Sequence, residues 1–220
     1  GTTTVNDGLL RITGNQSGAT GAVTIASGGT LGGTGTVGGA ITTQSGGTLA
    51  PGASPGILIA ASGLAFEAGG TFEWELVAND ATAGNRGTDF DGVNVTGGTL
   101  SIAAGATSNL VLNGTGSTVD FTDAFWDSPQ SWLVFDNANA PSLASSDIFD
   151  TISVSSDSNG VSLQSVTGLS FAFFYWEQSG NDLVLHYNPG GDLATSTVSA
   201  SPTSVTADGS ATSTLSVQLK

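Results

Sequence analysis

The chain contains no cysteine and no methionine, a single histidine, and only three basic residues against 18 acidic ones in 220 positions. Without cysteine there is neither a disulfide framework nor a thiolate metal centre. The absence fits export through an oxidising compartment, where a stray thiol would cross-link; it is also common in cytosolic chains, so it does not by itself fix a compartment. Arg11, Arg86 and Lys220 are too scattered to form a basic patch, and the formal net charge of −15 repels phosphate backbones and anionic lipid heads. No apolar run approaches the ~20 residues that span a bilayer. Nucleic-acid binding and membrane insertion are therefore set aside. No signal peptide precedes Gly1, so a secreted chain would stand here as a mature form or an excised piece.

Glycine is abundant, at 33 residues, and charged residues make up only 10% of the chain. Hydrophobic residues reach 38% and are regularly spaced, which argues for a buried core rather than a disordered tail. The organisation is repetitive. Laying GAVTIASGGTL (21–31) over GAITTQSGGTL (39–49) matches 8 of 11 residues at an offset of 18. GGT followed by an apolar residue recurs at Gly69 and Gly97, with widening spacing that suggests loops inserted between similar units.

A repeat of about 20 residues is the length of one coil of a β-solenoid, in which each coil buries its apolar face only by stacking on its neighbours. Stacking predicts Val23 under Ile41 and Leu31 under Leu49 as inward ladders, with Thr24 and Thr42 outward. The glycine pairs then turn the chain at corners, where positive φ is closed to residues with a Cβ.

The same repeat accounts for Gly33, Gly35 and Gly38, which have the G-x-G-x-x-G spacing of a dinucleotide-binding loop. That motif needs a preceding strand, a helix opening at the glycines, and an acid about 20 residues on. After Gly38 the chain is instead β-branched and glycine-rich as far as Pro51, and Ala60 occupies the acid's place. A calcium-binding nonapeptide roll would need an aspartate where Thr34 and Thr36 stand.

Beyond Gly56 the units lengthen. TFEWEL alternates Phe72, Trp74 and Leu76 with Glu73 and Glu75, the pattern of a half-buried strand. DGVNV, GGTLSI, SNLVLNG, SWLVFD and GVSLQSV read as further strands, and PSLASSDIFD as a short helix. LSFAFFYWEQSGNDLVLHY reads as a hairpin turning at Ser179, Gly180 and Asn181. Residues 188–196 have linker composition. Beyond them lie two alternating strands around Asp208 and Gly209, in a stretch too short for a core of its own.

The run Ser45-Gly46-Gly47-Thr48-Leu49-Ala50-Pro51-Gly52, followed by Ser54-Pro55-Gly56, resembles the passenger-associated β-strand repeat of bacterial autotransporters and related surface proteins. The resemblance is strong over residues 3–64, looser through 90–102, and faint to Tyr187. SASPTSVTADGSATSTLSVQLK resembles the first two strands of an invasin-type bacterial immunoglobulin-like domain. Together these resemblances imply a cell-surface chain, a right-handed parallel β-helix, and a role in secretion or display. The chain departs from both patterns: it carries no outer-membrane barrel, and the immunoglobulin-like part stops at Lys220.

The expected fold is thus all-β: a right-handed parallel β-helix or solenoid over 1–187 with an antiparallel C-terminal cap, a linker at 188–196, and two immunoglobulin-like or strand-donating strands in 197–220. The expected function is that of a non-enzymatic extracellular or cell-surface structural protein. It would assemble through solenoid ends or C-terminal strands into a fibre or surface layer, or serve as an adhesin stalk contacting a glycan or host surface. The rival is a carbohydrate-binding or carbohydrate-cleaving β-helix using Glu73 and Glu75, which point to one side of their strand. No cofactor is expected apart from calcium, for which Asp80, Asp89 and Asp91 around Arg86 are the candidate ligands. His186 lacks a nucleophile elbow and reads as structural. Phe171, Phe173, Phe174, Tyr175 and Trp176 have two readings, the lining of a sugar site and an end cap formed by alternate members; the cap is favoured because an open solenoid terminus exposes core and strand edges.

Overall fold

The computed structural model of the chain describes residues 1–190, 197–201, 203–204 and 212–218. The fold is all-β, a parallel three-sheet stack. Six successive coils each give one strand to the first sheet, from Thr3–Val5 through Val23–Ile25, Ile41–Thr43, Leu64–Phe66 and Leu100–Ile102 to Ser142–Leu143. The second sheet runs from Gly8–Arg11 through Gly29–Gly33, Thr48–Pro51, Thr71–Glu75 and Thr107–Val111 to Thr151–Val154. The third holds Asn15–Gln16, Thr36–Val37, Ile57–Ala60, Gly92–Val95 and Gln130–Asn137, all parallel.

The register is the one the repeat predicts. Val23 pairs with Ile41, Thr24 with Thr42, and Leu31 with Leu49. Val23, Ile41, Leu31 and Leu49 are buried and the two threonines lie half-buried on the outer face. Full burial of each such aliphatic side chain contributes about 1.5–3 kcal/mol. Toward the later coils the rungs change from aliphatic to aromatic. Phe66 stands in register with Thr43, and Phe72 is flanked in register by Leu49 and Ser108. The rings of Phe66, Phe72, Phe135, Phe149 and Trp176 pack together. Thr43 and Ser108 are the small rungs that make room for the bulky ones. Their buried hydroxyls have no partner among the described residues.

The corner between the first and second sheets is a column of glycines. Gly28, Gly46, Gly69 and Gly105 all take positive φ there, between 76° and 86°. Gly28 donates its amide to Gly46 O, Gly46 to Gly69 O, and Gly69 to Gly105 O. The Gly105 amide, last in the series, goes to the Asp150 carboxylate at 2.7 Å.

The lengthening seen in the sequence is concentrated at a different corner, between the second and third sheets. Successive coils there carry long excursions, at 77–91, 113–129 and 155–172, and these pack on one another. Thr118 N donates to Val77 O and Ser158 N to Val119 O. Asp157 organises the last of them, accepting from Phe121, Asn159 and Val161 amides.

The hairpin Phe173–Ser179 and Asp182–Asn188 forms as expected and adds two antiparallel strands to the third sheet beside Gln130–Asn137. Phe174 and Trp176 are buried inward, whereas Phe173 and Tyr175 face outward with Phe171 also exposed. Only part of the aromatic run therefore closes the core. Two local expectations are overturned. PSLASSDIFD forms no helix: Ser142–Leu143 pairs in parallel with Ser101 and Ile102, and the chain then turns with Ile148 at φ 64°. The ladder offered by the preceding coil outweighs any local helical tendency after Pro141. GVSLQSV is not a strand but a 3-10 turn at Leu163–Ser165 that buries Leu163.

Thr197–Ser201 and Thr214–Gln218 pair antiparallel with each other, Thr197 opposite Gln218. The turn expected at Asp208 and Gly209, and most of the linker, lie outside the described residues.

Candidate functional site

Glu73 and Glu75 alternate with buried Phe72 and Trp74, so both carboxylates emerge on the outer face of the second sheet. They line a groove of about 220 Å³ together with Arg11, Ser54 and Asp91. Thr71 pairs in register with Thr48, while Glu73 lies opposite Asn109 of the next coil, whose side-chain amide donates to Glu73 Oε2 at 3.1 Å. Burial pushes the Glu75 carboxyl above its ordinary value, and the neighbouring Glu73 charge pushes it further in the same direction. Ser54, on the groove rim, holds the left-handed φ of 136° between Gly52 and Gly56.

The two glutamates sit side by side on one strand. A glycosidase pair flanks the scissile bond from two sides. A groove with an elevated carboxyl can bind hydroxyl groups or donate a proton to one, but this arrangement lacks the opposed geometry of the hydrolytic pair.

Asp91 is buried, and its two oxygens are spent on the fold: one accepts from Gly56 N at 2.8 Å, the other from Glu75 N at 2.9 Å. Its carbonyl accepts the indole N–H of Trp74 at 3.0 Å. Asp91 thus ties together three coil segments. Burial holds its carboxyl well above the usual carboxylate range, against the two amide bonds that favour the charge.

Asp80 and Asp89 form a separate group. The side-chain amide of Asn85 donates to both, at 3.0 Å for Asp89. Thr82 N donates to Asp80 at 2.6 Å. Partial burial pushes Asp80 up, but its hydrogen bonds from Thr82 and Asn85 prevail and hold it below 3.8, whereas burial and the contact with Asp80 raise Asp89. The three aspartates proposed for calcium are consequently split between two local networks. Among the described residues no group of three or more His, Asp or Glu side chains is placed to share a metal ion.

Arg86, the central cation of that loop, is committed to the chain itself. Its guanidinium donates to the carbonyls of Val93, Leu133 and Val134 and to the side chain of Asn94, at 2.7–3.0 Å. Gly92 is required beneath it, because a Cβ there would lie 2.6 Å from the guanidinium carbon. Arg86 anchors the 77–91 excursion to the third sheet.

His186 stacks on Tyr175, with ring centroids 5.0 Å apart, and its Nε2 lies 3.3 Å from Glu177. Ser131 stands opposite it in the antiparallel ladder, but no side-chain hydrogen bond joins His186 to a serine or aspartate among the described residues.

Sequence reasoning missed a second cavity, of about 500 Å³, between the sixth coil and the cap hairpin. Its walls come from Ser146, Asp147, Phe149, Asp150, Tyr175 and Trp176. The aromatic run signalled the cap, but nothing in the sequence distinguishes a ring that fills the core from one that lines a space. No family model matches the chain, and no curated protein matches it.

Proposed function

We propose that this chain is a non-enzymatic structural module of an extracellular or cell-surface protein, and that its coils wind right-handed. The handedness follows the strong preference of parallel crossover connections. The observation that carries the functional reading is the end-to-end repetition of one coil, held by parallel ladders and a hydrogen-bonded glycine column. Three groups that could serve catalysis are engaged within the chain, Arg86 on carbonyls, Asp91 on amides and His186 on Tyr175 and Glu177, which leaves Glu73 and Glu75 as the pair to test. The resemblance of residues 3–64 to the autotransporter passenger repeat points the same way.

Magnitude limits what one copy can do. Six strands spaced ~4.8 Å apart give a stack only ~24 Å high, so one copy is a building block and length must come from addition. The two ends differ. The antiparallel hairpin extends the third sheet and lays its inward aromatics over the core of the last coil, while Ser142–Leu143 and Thr151–Val154 keep a strand neighbour on one side only among the described residues. Thr3–Val5, Gly8–Arg11 and Asn15–Gln16 have a strand neighbour on one side only among the described residues, and Leu9 is 56% exposed beside them. Charge is divided in the same sense. Of the 18 acidic residues only Asp7 precedes Glu67, and Arg11 balances it. The first-coil end is neutral, and a second copy meets it there without the repulsion carried by the rest of the molecule. Edge strands of two copies pair there by β-augmentation. Both ends carry open strand edges, and the neutral charge selects the first-coil end as the adhesive one; the contact is then isologous and closes at two copies rather than growing into a fibre.

The enzymatic rival is tested by incubating the purified chain with neutral and acidic polysaccharides and measuring new reducing ends. The structural reading expects none. Release that disappears in Glu75→Gln would overturn it.

A further inference from the structure

We propose that the two C-terminal strands fold back on the chain that carries them, laying the apolar face of their ribbon over the exposed aromatic side chains of the cap hairpin. This contact lies at the other end of the stack from the first-coil edge and does not depend on the pairing proposed there.

Two apolar surfaces lack a cover, and they are neighbours in sequence. The first is on the hairpin. Phe173 and Tyr175 project from the outer face of Phe173–Ser179 at 49% and 38% exposure, and Phe171 just before them is 52% exposed. The rings of Phe173 and Tyr175 lie 5.7 Å apart, and Tyr175 stacks on His186 across the ladder. Glu177 and Asp182 sit toward the turn at Ser179, so the half of the hairpin nearest Asn188 carries no carboxylate.

The second surface is on the ribbon of Thr197–Ser201 and Thr214–Gln218. Val198 stands opposite Val217 and Ala200 opposite Leu215. Successive positions of a strand belong to opposite faces, so these four apolar positions share one face, and only Ser, Thr and Gln positions fall on the other. Ala200 is exposed, and the ribbon pairs with no strand of the three sheets. Two antiparallel strands alone are marginally stable at best in water, and a packed apolar face is one of the two things that hold such a pair together. Neither strand contains a charged residue, so its burial against rings leaves no ion unpaired.

Position and magnitude select the hairpin as the cover. The chain leaves it at Asn188, directly opposite Phe173, and passes against Phe171: a Cβ at Gly190 would lie 2.6 Å from the Phe171 carbonyl oxygen. From Gly190 to Thr197 the chain can span up to ~25 Å, while a strand of the hairpin's length runs only ~20 Å. The whole outer face is within reach of the ribbon. Three half-exposed rings offer about 100 Å² each, ~300 Å² together. A separate protein would need ~800 Å² on its side. A segment joined by a short linker needs far less, because the linker holds it at an effective concentration in the millimolar range. The patch is therefore too small for a second molecule and sufficient for a tethered strand pair.

Hydrogen exchange of the full chain, followed by mass spectrometry over residues 197–201 and 214–218, tests the contact. The docked strands exchange slowly, and their protection does not change with protein concentration. Tyr175→Ser, remote from the ribbon in sequence, lowers that protection at least tenfold. Phe171→Ser, outside the hairpin strands, does the same and serves if Tyr175→Ser disturbs the hairpin. Exchange of both strands at the rate of an unfolded peptide, protection that persists in the folded variants, or protection that rises with protein concentration, as a second copy supplying the cover would give, overturns the proposal.

Discussion

The amide of Gly46 donates to the carbonyl of Gly69 at 2.9 Å, and both residues hold φ of 76°. Each also faces a serine of the coil beneath it: a Cβ at Gly46 would lie 2.6 Å from Ser27 Oγ, and one at Gly69 would lie 2.5 Å from Ser45 Oγ. Conformation and space exclude a side chain together.

Gly46→Ala and Gly69→Ala each lower stability by about 2 kcal/mol or more, the left-handed penalty of ~1–2 kcal/mol plus the displaced serine. Gly116, also at positive φ but in open space, serves as the control. Gly116→Ala carries only the conformational part. Urea denaturation of the three variants checks the order.

Thr43 is fully buried in register with Phe66, and its hydroxyl has no partner among the described residues. Thr43→Val keeps the shape and removes the unmet polar group, so it stabilises the chain by about 1 kcal/mol. A higher denaturation midpoint with unchanged slope is the expected result. A loss of stability would mean that the hydroxyl is satisfied.

Asp91 gives the chain a pH dependence of definite sign. Its carboxyl is raised well above 3.8 in the folded state, chiefly by burial, and the neighbouring Glu75 is raised above 4.5. The folded state therefore holds these protons more tightly than the unfolded chain. Their contribution is fully present below the ordinary values and is lost as pH rises through the folded ones. The Tm should climb as pH is lowered from 8 toward 5, and Asp91→Asn should flatten that slope. An unchanged slope in the variant would remove Asp91 as its source.

The stacking register was legible in the chain because a repeat of near-constant length carries it: once residues 21–31 and 39–49 are aligned, Val23 must stack on Ile41. The hairpin was legible from alternation and its glycine turn. The excursions at 77–91, 113–129 and 155–172 were not, because they are ordered by bonds between distant loops, such as Thr118 N to Val77 O, which leave no periodic trace. The same reason hid the site chemistry. Sequence proximity grouped Asp91 with Asp80 and Asp89, yet the alternation of Gly92–Val95 and the approach of Gly56 take its carboxylate into the body of the stack. That the Trp176 indole N–H has no acceptor among the described residues depends on what surrounds it in three dimensions, which no local pattern records.

In the proposed structural role the module adds lengthwise through its first coil. Thr3 donates to Ala22 O, and Val5 accepts from Ala26 N, so strand alternation turns the Thr4 amide to the open side. Small-angle X-ray scattering over a concentration series should show the mass doubling and the long dimension growing while the cross-section stays constant. Thr4→Pro, which removes the outward donor, should remain a single copy. Single particles at every concentration, or a dimer that thickens instead of lengthening, would contradict the account.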